Sequence, residues 1–236
     1  MKNRIFRSIV ASVLVVFSLL CLFSCDQLQD VVDGNEDGVS AYDLYTVAKT
    51  RFATEIATGD DFSIEIDYKV DDAHEKIKLN CKGTDFSIEI RDEKAKSDVY
   101  RCAYINNTVQ YAGTDGRVYS LPLDRNAAIT LLENTPAFKK YVAILAFNLP
   151  AEWFTTKVKP NKDKEFELDM ELTEALCRYL PEDVEIFTEG SKLKFLYDKD
   201  KYIKKLELKK VYINDVRCDV MVKFDWDHAA PVTALK

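Results

Sequence analysis

Runs of alternating apolar and polar residues constrain this chain most. Phe62, Ile64, Ile66, Tyr68 and Val70 share one face of an extended segment, and Ser63, Glu65, Asp67 and Lys69 share the other. That is the pattern of a strand with one side in water. The period returns in Ile77-Leu79-Cys81 and Phe86-Ile88-Ile90, which predicts a three-stranded antiparallel meander. It continues through Val99 to Ile105, Thr108 to Tyr111 and Arg117 to Leu121, with turns at Asn106-Asn107 and Asp115-Gly116. A second series runs through Glu165 to Glu171, Val184 to Phe187, Lys192 to Tyr197 and Tyr202 to Leu208. It ends with Val216, Cys218, Val220, Val222 and Phe224 alternating against Arg217, Asp219, Met221 and Lys223. Nearly every strand offers one apolar face, so a sheet of this length must curl around something or be covered by helices. The expected fold is α+β and mostly antiparallel: a curved, open, barrel-like sheet with helices covering its concave face.

The helical period appears in four places. Ser40 reads as an N-cap, and Leu44, Ala48, Phe52 and Ile56 recur every four residues up to a stop at Gly59. Asp124 to Glu133 reads as a second helix, and Ala175 to Tyr179 as a short one. Pro136 starts another, whose apolar surface of Phe138, Tyr141, Val142, Leu145 and Phe147 is unusually broad. The hexapeptide Asp-Phe-Ser-Ile-Glu-Ile occurs at 61–66 and again at 85–90. Two similar strand demands met by one solution explain it more simply than a repeat architecture, for which two copies are too few.

The N-terminus carries a different message. Lys2, Arg4 and Arg7 precede an apolar stretch from Ile9 to Phe23 that stops at Leu22-Phe23-Ser24-Cys25. A basic start, a short apolar helix and a small residue before the cut make a secretory signal, and a cysteine directly after the cut is the acceptor for a diacylglyceryl thioether. About fifteen apolar residues is short against the roughly twenty of a spanning helix. Cys21 follows the bulky Leu20, so Cys25 is the expected lipidation site, bearing acyl chains such as palmitate. The expected organisation is a signal peptide over 1–24, a lipidated acidic tether over 25–38 and one β-rich domain over 39–236.

Of 33 basic residues, three leave with the signal; the remaining 30 face 40 acidic ones, a formal charge of −10. A basic groove for nucleic acid is excluded, and attraction to anionic headgroups is absent, which leaves the acyl chains as the membrane anchor. Cys81, Cys102, Cys177 and Cys218 could form two disulfides in any of three connectivities, or stay free, Cys81 and Cys218 as small hydrophobes on the apolar phase of their strands. No pair has CxxC spacing, and two histidines, His74 and His228, give a zinc site little to be built from. There is no Gly-x-Ser-x-Gly, no His-Glu-x-x-His and no phosphate-cradling loop. Neither an enzyme nor a cofactor is expected.

Tyr104-Ile105-Asn106-Asn107-Thr108-Val109-Gln110-Tyr111, then Gly116 to Asp124 and Asn134-Thr135-Pro136, resemble the LolA/LolB-like lipoprotein-carrier superfamily. Phe195 to Asp200 with Lys205 to Leu208, and the ending Ala230-Pro231-Val232-Thr233, are similar to the lipid-binding lipoproteins of that superfamily. The order of helix, meander, helical insertion and second meander agrees over most of residues 40–236. The resemblance implies an unclosed antiparallel barrel with an apolar cavity for acyl chains, and a role in lipid or lipoprotein transfer. The carriers' arginine on an early strand has no match here, and a soluble shuttle would lack an anchor, so a membrane-anchored acceptor or lipid binder is the more consistent form.

Candidate ligand-binding residues follow from the two patterns. Phe62, Ile64, Phe86, Ile88, Phe195, Leu206, Val220 and Val222 point inward from strands, and Phe138, Tyr141, Val142 and Leu145 form a lid helix. The same residues would equally make an ordinary core. Trp153-Phe154 reads as a buried plug at the barrel end or an exposed contact for a partner, and Asp225-Trp226-Asp227-His228 as a solvated strand end without a third metal ligand. The expected partners are the membrane, a lipid or other hydrophobic small molecule, and another envelope protein. The expected location is the exported side of a bacterial cell-envelope membrane. The alternative is an envelope protein-interaction or stress-sensing module with a solid core and no ligand.

Overall fold

The computed structural model describes residues 38–58, 61–70, 73–135, 149–180, 186–213 and 215–236. The signal, the tether from Cys25 through residue 37, and the lid candidates Phe138, Tyr141, Val142 and Leu145 lie outside these residues, as does Gly59. The two-residue strand β1 (Val39–Ser40) leads into helix α1 (Ala41–Thr58). Ser40 Oγ accepts the Asp43 N–H at 3.4 Å, the N-cap its sequence position predicts.

Six strands follow in one meander: β2 (Phe62–Val70), β3 (Ala73–Lys82), β4 (Asp85–Asp92), β5 (Ser97–Ile105), β6 (Thr108–Ala112) and β7 (Val118–Pro122). Asn106 and Asn107 both have positive φ, 50° and 57°, which is what a two-residue hairpin needs to match the strand twist. Helix α2 (Arg125–Glu133) is capped by the Asp124 carboxylate, which accepts the Ala127 N–H. A 3₁₀ turn (Ala151–Trp153) and β8 (Lys157–Val158), which pairs with β1, complete the described part of the insertion. The second meander is β9 (Phe166–Glu171), helix α3 (Glu174–Cys177), β10 (Lys192–Tyr197), β11 (Ile203–Ile213) and β12 (Val216–Asp225). Ile186 and Phe187 are not in a strand: one backbone bond joins Tyr212 N–H to the Ile186 carbonyl, and Phe187 turns into the core against Trp153.

The ten strands β2–β7 and β9–β12 form one antiparallel sheet in the order β7-β6-β5-β4-β3-β2-β12-β11-β10-β9. It is curved and not closed into a barrel, so the α+β expectation holds. Register shifts at Ile90/Arg91, Leu196/Tyr197 and Leu208/Val211 sharpen the local twist that curls it. The two strand meanders meet at the β2–β12 pair, and β7 and β9 are the sheet's edges. The insertion therefore runs from one edge to the other. The repeated hexapeptide flanks β3 in a single register: Phe62 and Phe86 oppose Cys81, Ile64 and Ile88 oppose Leu79, and Ile66 and Ile90 oppose Ile77. Beyond β12 the chain reaches back to β6, where the Leu235 N–H donates to Gln110 Oε1 at 3.0 Å on the face away from the core.

Candidate functional site

Period-two alternation and antiparallel register place apolar side chains in lines across the inner face. One line runs Leu168, Phe195, Leu206, Val222, Ile66, Ile77, Ile90 and Tyr100, a residue from each of eight adjacent strands. A second runs Phe62, Cys81, Phe86, Tyr104, Val109 and Leu121, out to the β7 edge. The eight nominated strand residues all lie on this face, in one apolar cluster, and none is more than 4% exposed.

The cover is uneven. At the β10 end, Ala41, Leu44 and Ala48 of α1 are buried along with Leu149, Trp153, Phe154 and Val158. Tyr45 stacks on Phe154 at 4.6 Å and meets Phe195 edge-on at 6.1 Å. Its hydroxyl accepts the Leu149 N–H at 3.1 Å, and burial pushes its pKa up to about 12. Tyr197 stacks beside Phe195 with no exposed surface, and its hydroxyl has no hydrogen-bond partner among the described residues. At the other end α2 buries Ala128 and Leu132, and Arg125 reaches the Cys81 sulfur. Past it the floor comes into the open: Tyr111, Tyr119 and Leu121 are 37%, 42% and 43% exposed, with the two tyrosine rings stacked at 5.4 Å. These three were missed as site candidates, although the alternation through Thr108–Tyr111 and Arg117–Leu121 assigns them to the inner face.

Trp153 and Phe154 are buried, the plug form of the two readings, and Trp153 Nε1 donates to the Leu176 carbonyl. The four cysteines among the described residues are free thiols, with Cys81, Cys102 and Cys218 buried. Burial pushes the Cys102 thiol up to about 11, far from a reactive thiolate. His228 is an exposed side chain paired with Asp225 at 3.2 Å, and no cluster of three or more metal-binding side chains occurs among the described residues. The outer face carries cross-strand ion pairs such as Lys192–Glu171 at 2.9 Å and Lys194–Glu167 at 2.7 Å, which contribute little stability at such exposure. No described helix is long and apolar enough to cross a membrane.

No family model matches the chain, and no curated protein is significantly similar in sequence. Among solved structures it is similar to the Mycobacterium tuberculosis lipoprotein LppX, at 8% identity over 80% of this chain and 97% of that one, with a TM-score of 0.33. It is also similar to a DUF1329 family protein from Desulfovibrio piger, at 9% identity over 78% and 90% of the two chains, with a TM-score of 0.24. With scores this low, neither structure informs the function of this chain.

Proposed function

We propose that this chain is a lipid-anchored protein of the bacterial cell envelope, attached through Cys25, that binds an acyl chain or similar apolar molecule against the concave face of its sheet. The role is non-enzymatic, of the kind the likeness to LolA/LolB-like carriers implies. The observation that supports it is the apolar floor that continues across the sheet and emerges at Tyr111, Tyr119 and Leu121. An acyl chain laid along such a floor gains about 0.8 kcal/mol per buried methylene and needs no charged partner. The strand candidates Phe62 to Val222 would form the floor and the Phe138 to Leu145 segment the lid.

The test separates anchor from ligand. Labelling with an alkyne-palmitate analogue is expected on the wild-type chain and lost in Cys25→Ser. That variant carries no covalent acyl group, so native mass spectrometry of the full chain in neutral detergent reads any bound lipid directly. A stoichiometric acyl-bearing mass, displaced in Leu121→Glu, is expected. A second reading has its own support: the eight nominated strand residues are packed as a solid core is, and the exposed aromatic edge would then bind another envelope protein. A mass that stays ligand-free after incubation with envelope lipids selects it.

A further inference from the structure

The ends of β2, β10, β11 and β12 hold a groove lined by side chains from both phases of the strands, beyond the nominated floor residues. Its volume is about 930 Å³, within the range of about 300–1,000 Å³ of small-molecule sites. The β10–β11 hairpin forms one wall, and the ends of β12 and β2 the other. Trp226 and Tyr202 stand in it 5.8 Å apart at 44°.

Both rings are fixed from behind. Phe224 stacks under Trp226 at 5.6 Å, and Trp226 Nε1 donates to the Ile203 carbonyl at 2.7 Å. Asp198 accepts the Asp200 and Tyr202 N–H groups, each at 2.9 Å, which sets the hairpin turn. Arg51 of α1 lies 4.3 Å over the Tyr202 ring and donates to the Asp200 carbonyl. The aromatic wall is therefore preorganised, and binding loses little entropy in ordering it.

Polar groups of both signs share the groove, with five carboxylates and three amines among its lining side chains. Lys204 and Lys205 are engaged by Glu165 and Glu207. Lys223 and Asp227 are exposed and have no ion pair among the described residues. An apolar ligand would strip water from these charges without replacing it, and a polyion of either sign would meet its own charge. A neutral polyhydroxyl ligand uses donors and acceptors alike. A pyranose also offers a C–H face to an aromatic ring.

We propose that this groove is a saccharide-binding site, with Trp226 and Tyr202 taking pyranose faces and Asp227 and Lys223 hydrogen-bonding ring hydroxyls. It does not depend on the inner-face ligand. The chain has two tryptophans, and Trp153 is in the core at 5% exposure, so a saccharide-induced change in fluorescence reports Trp226. The full chain, in a detergent without a sugar headgroup, is titrated with chitotriose, cellotriose and maltotriose. A saturable change with at least one is expected, weakened about tenfold in Asp227→Ala and in Lys223→Ala, each the loss of one charged hydrogen bond. Both sites are exposed, so circular dichroism should confirm an unchanged fold. No saturable change with any of the three sugars overturns the proposal. So does a response that both variants leave intact, or saturable binding of an oligolysine peptide alone.

Discussion

The two ends of the inner face share a floor and differ in their cover. At β10, Phe195 is 1% exposed and touches Tyr45, Phe154 and Tyr197. At β6 and β7, Tyr111 and Tyr119 stack on one another and are 37% and 42% exposed. Both ends obey the same alternation. What separates them is tertiary: α1, Trp153 and Phe154 close the β10 end, and the described cover stops short of the β7 edge. Among the described residues, the β10 end is covered and the β7 edge keeps apolar side chains exposed.

Truncating each end should break them unequally. Phe195→Ala removes a ring held on three sides and should cost about 3–5 kcal/mol in urea unfolding. A loss under about 1 kcal/mol would mean that this end is loosely packed. Tyr197→Phe deletes the buried hydroxyl that lacks a described partner, and should raise stability by about 1 kcal/mol. A loss of similar size would show that water or a polar ligand group occupies the covered end. Tyr119→Ser and Leu121→Ser, at the open edge, should each change stability by about 0.5 kcal/mol or less while weakening capture of a fluorescent fatty acid. Equal losses at both ends would abolish the distinction.

The floor was legible because alternation is a local code. Residues i and i+2 share a face whatever the topology, so Phe62, Ile64, Phe86, Ile88, Phe195, Leu206, Val220 and Val222 were assigned correctly to one surface. Neighbouring strands and hairpin turns were equally local, Asn106-Asn107 above all. Cover was not legible, since it depends on which long-range element lands on which strand. Tyr111, Tyr119 and Leu121 carry the same pattern as the buried residues and are exposed only because of where the described cover stops. The groove was hidden for a related reason. Trp226 sits in a segment that reads as a solvated strand end, and it becomes a wall because β11 and β10 bring Tyr202 and Asp198 beside it. Ile186 and Phe187 show the reverse error: they have the composition of a strand, but Phe187 packs against Trp153 instead of extending the ladder, while Val184 lies outside the described residues.

The smallest expected effect lies in the hairpin at the β10 end and is read through pH. Burial holds the Asp198 carboxyl above its ordinary pKa, against the opposing pull of the Tyr202 and Asp200 N–H bonds and of the Arg51 charge. A carboxyl whose pKa is higher in the folded state binds its proton more tightly there, so its contribution to stability is present at acid pH and declines as pH rises through the raised value. Glu165 and Glu171 behave oppositely. Lys204 and Lys192 hold them below the usual carboxylate range, so their contribution is lost as pH falls. Asp198→Asn retains an oxygen to accept both N–H groups and removes the titration. The variant should therefore match the wild type at about pH 3 and become the more stable of the two by about pH 7, a crossover that urea midpoints at the two pH values will resolve. A variant less stable at neutral pH would show that the charge itself, through Arg51 and the two backbone donors, holds the hairpin and with it the Tyr202 wall of the groove.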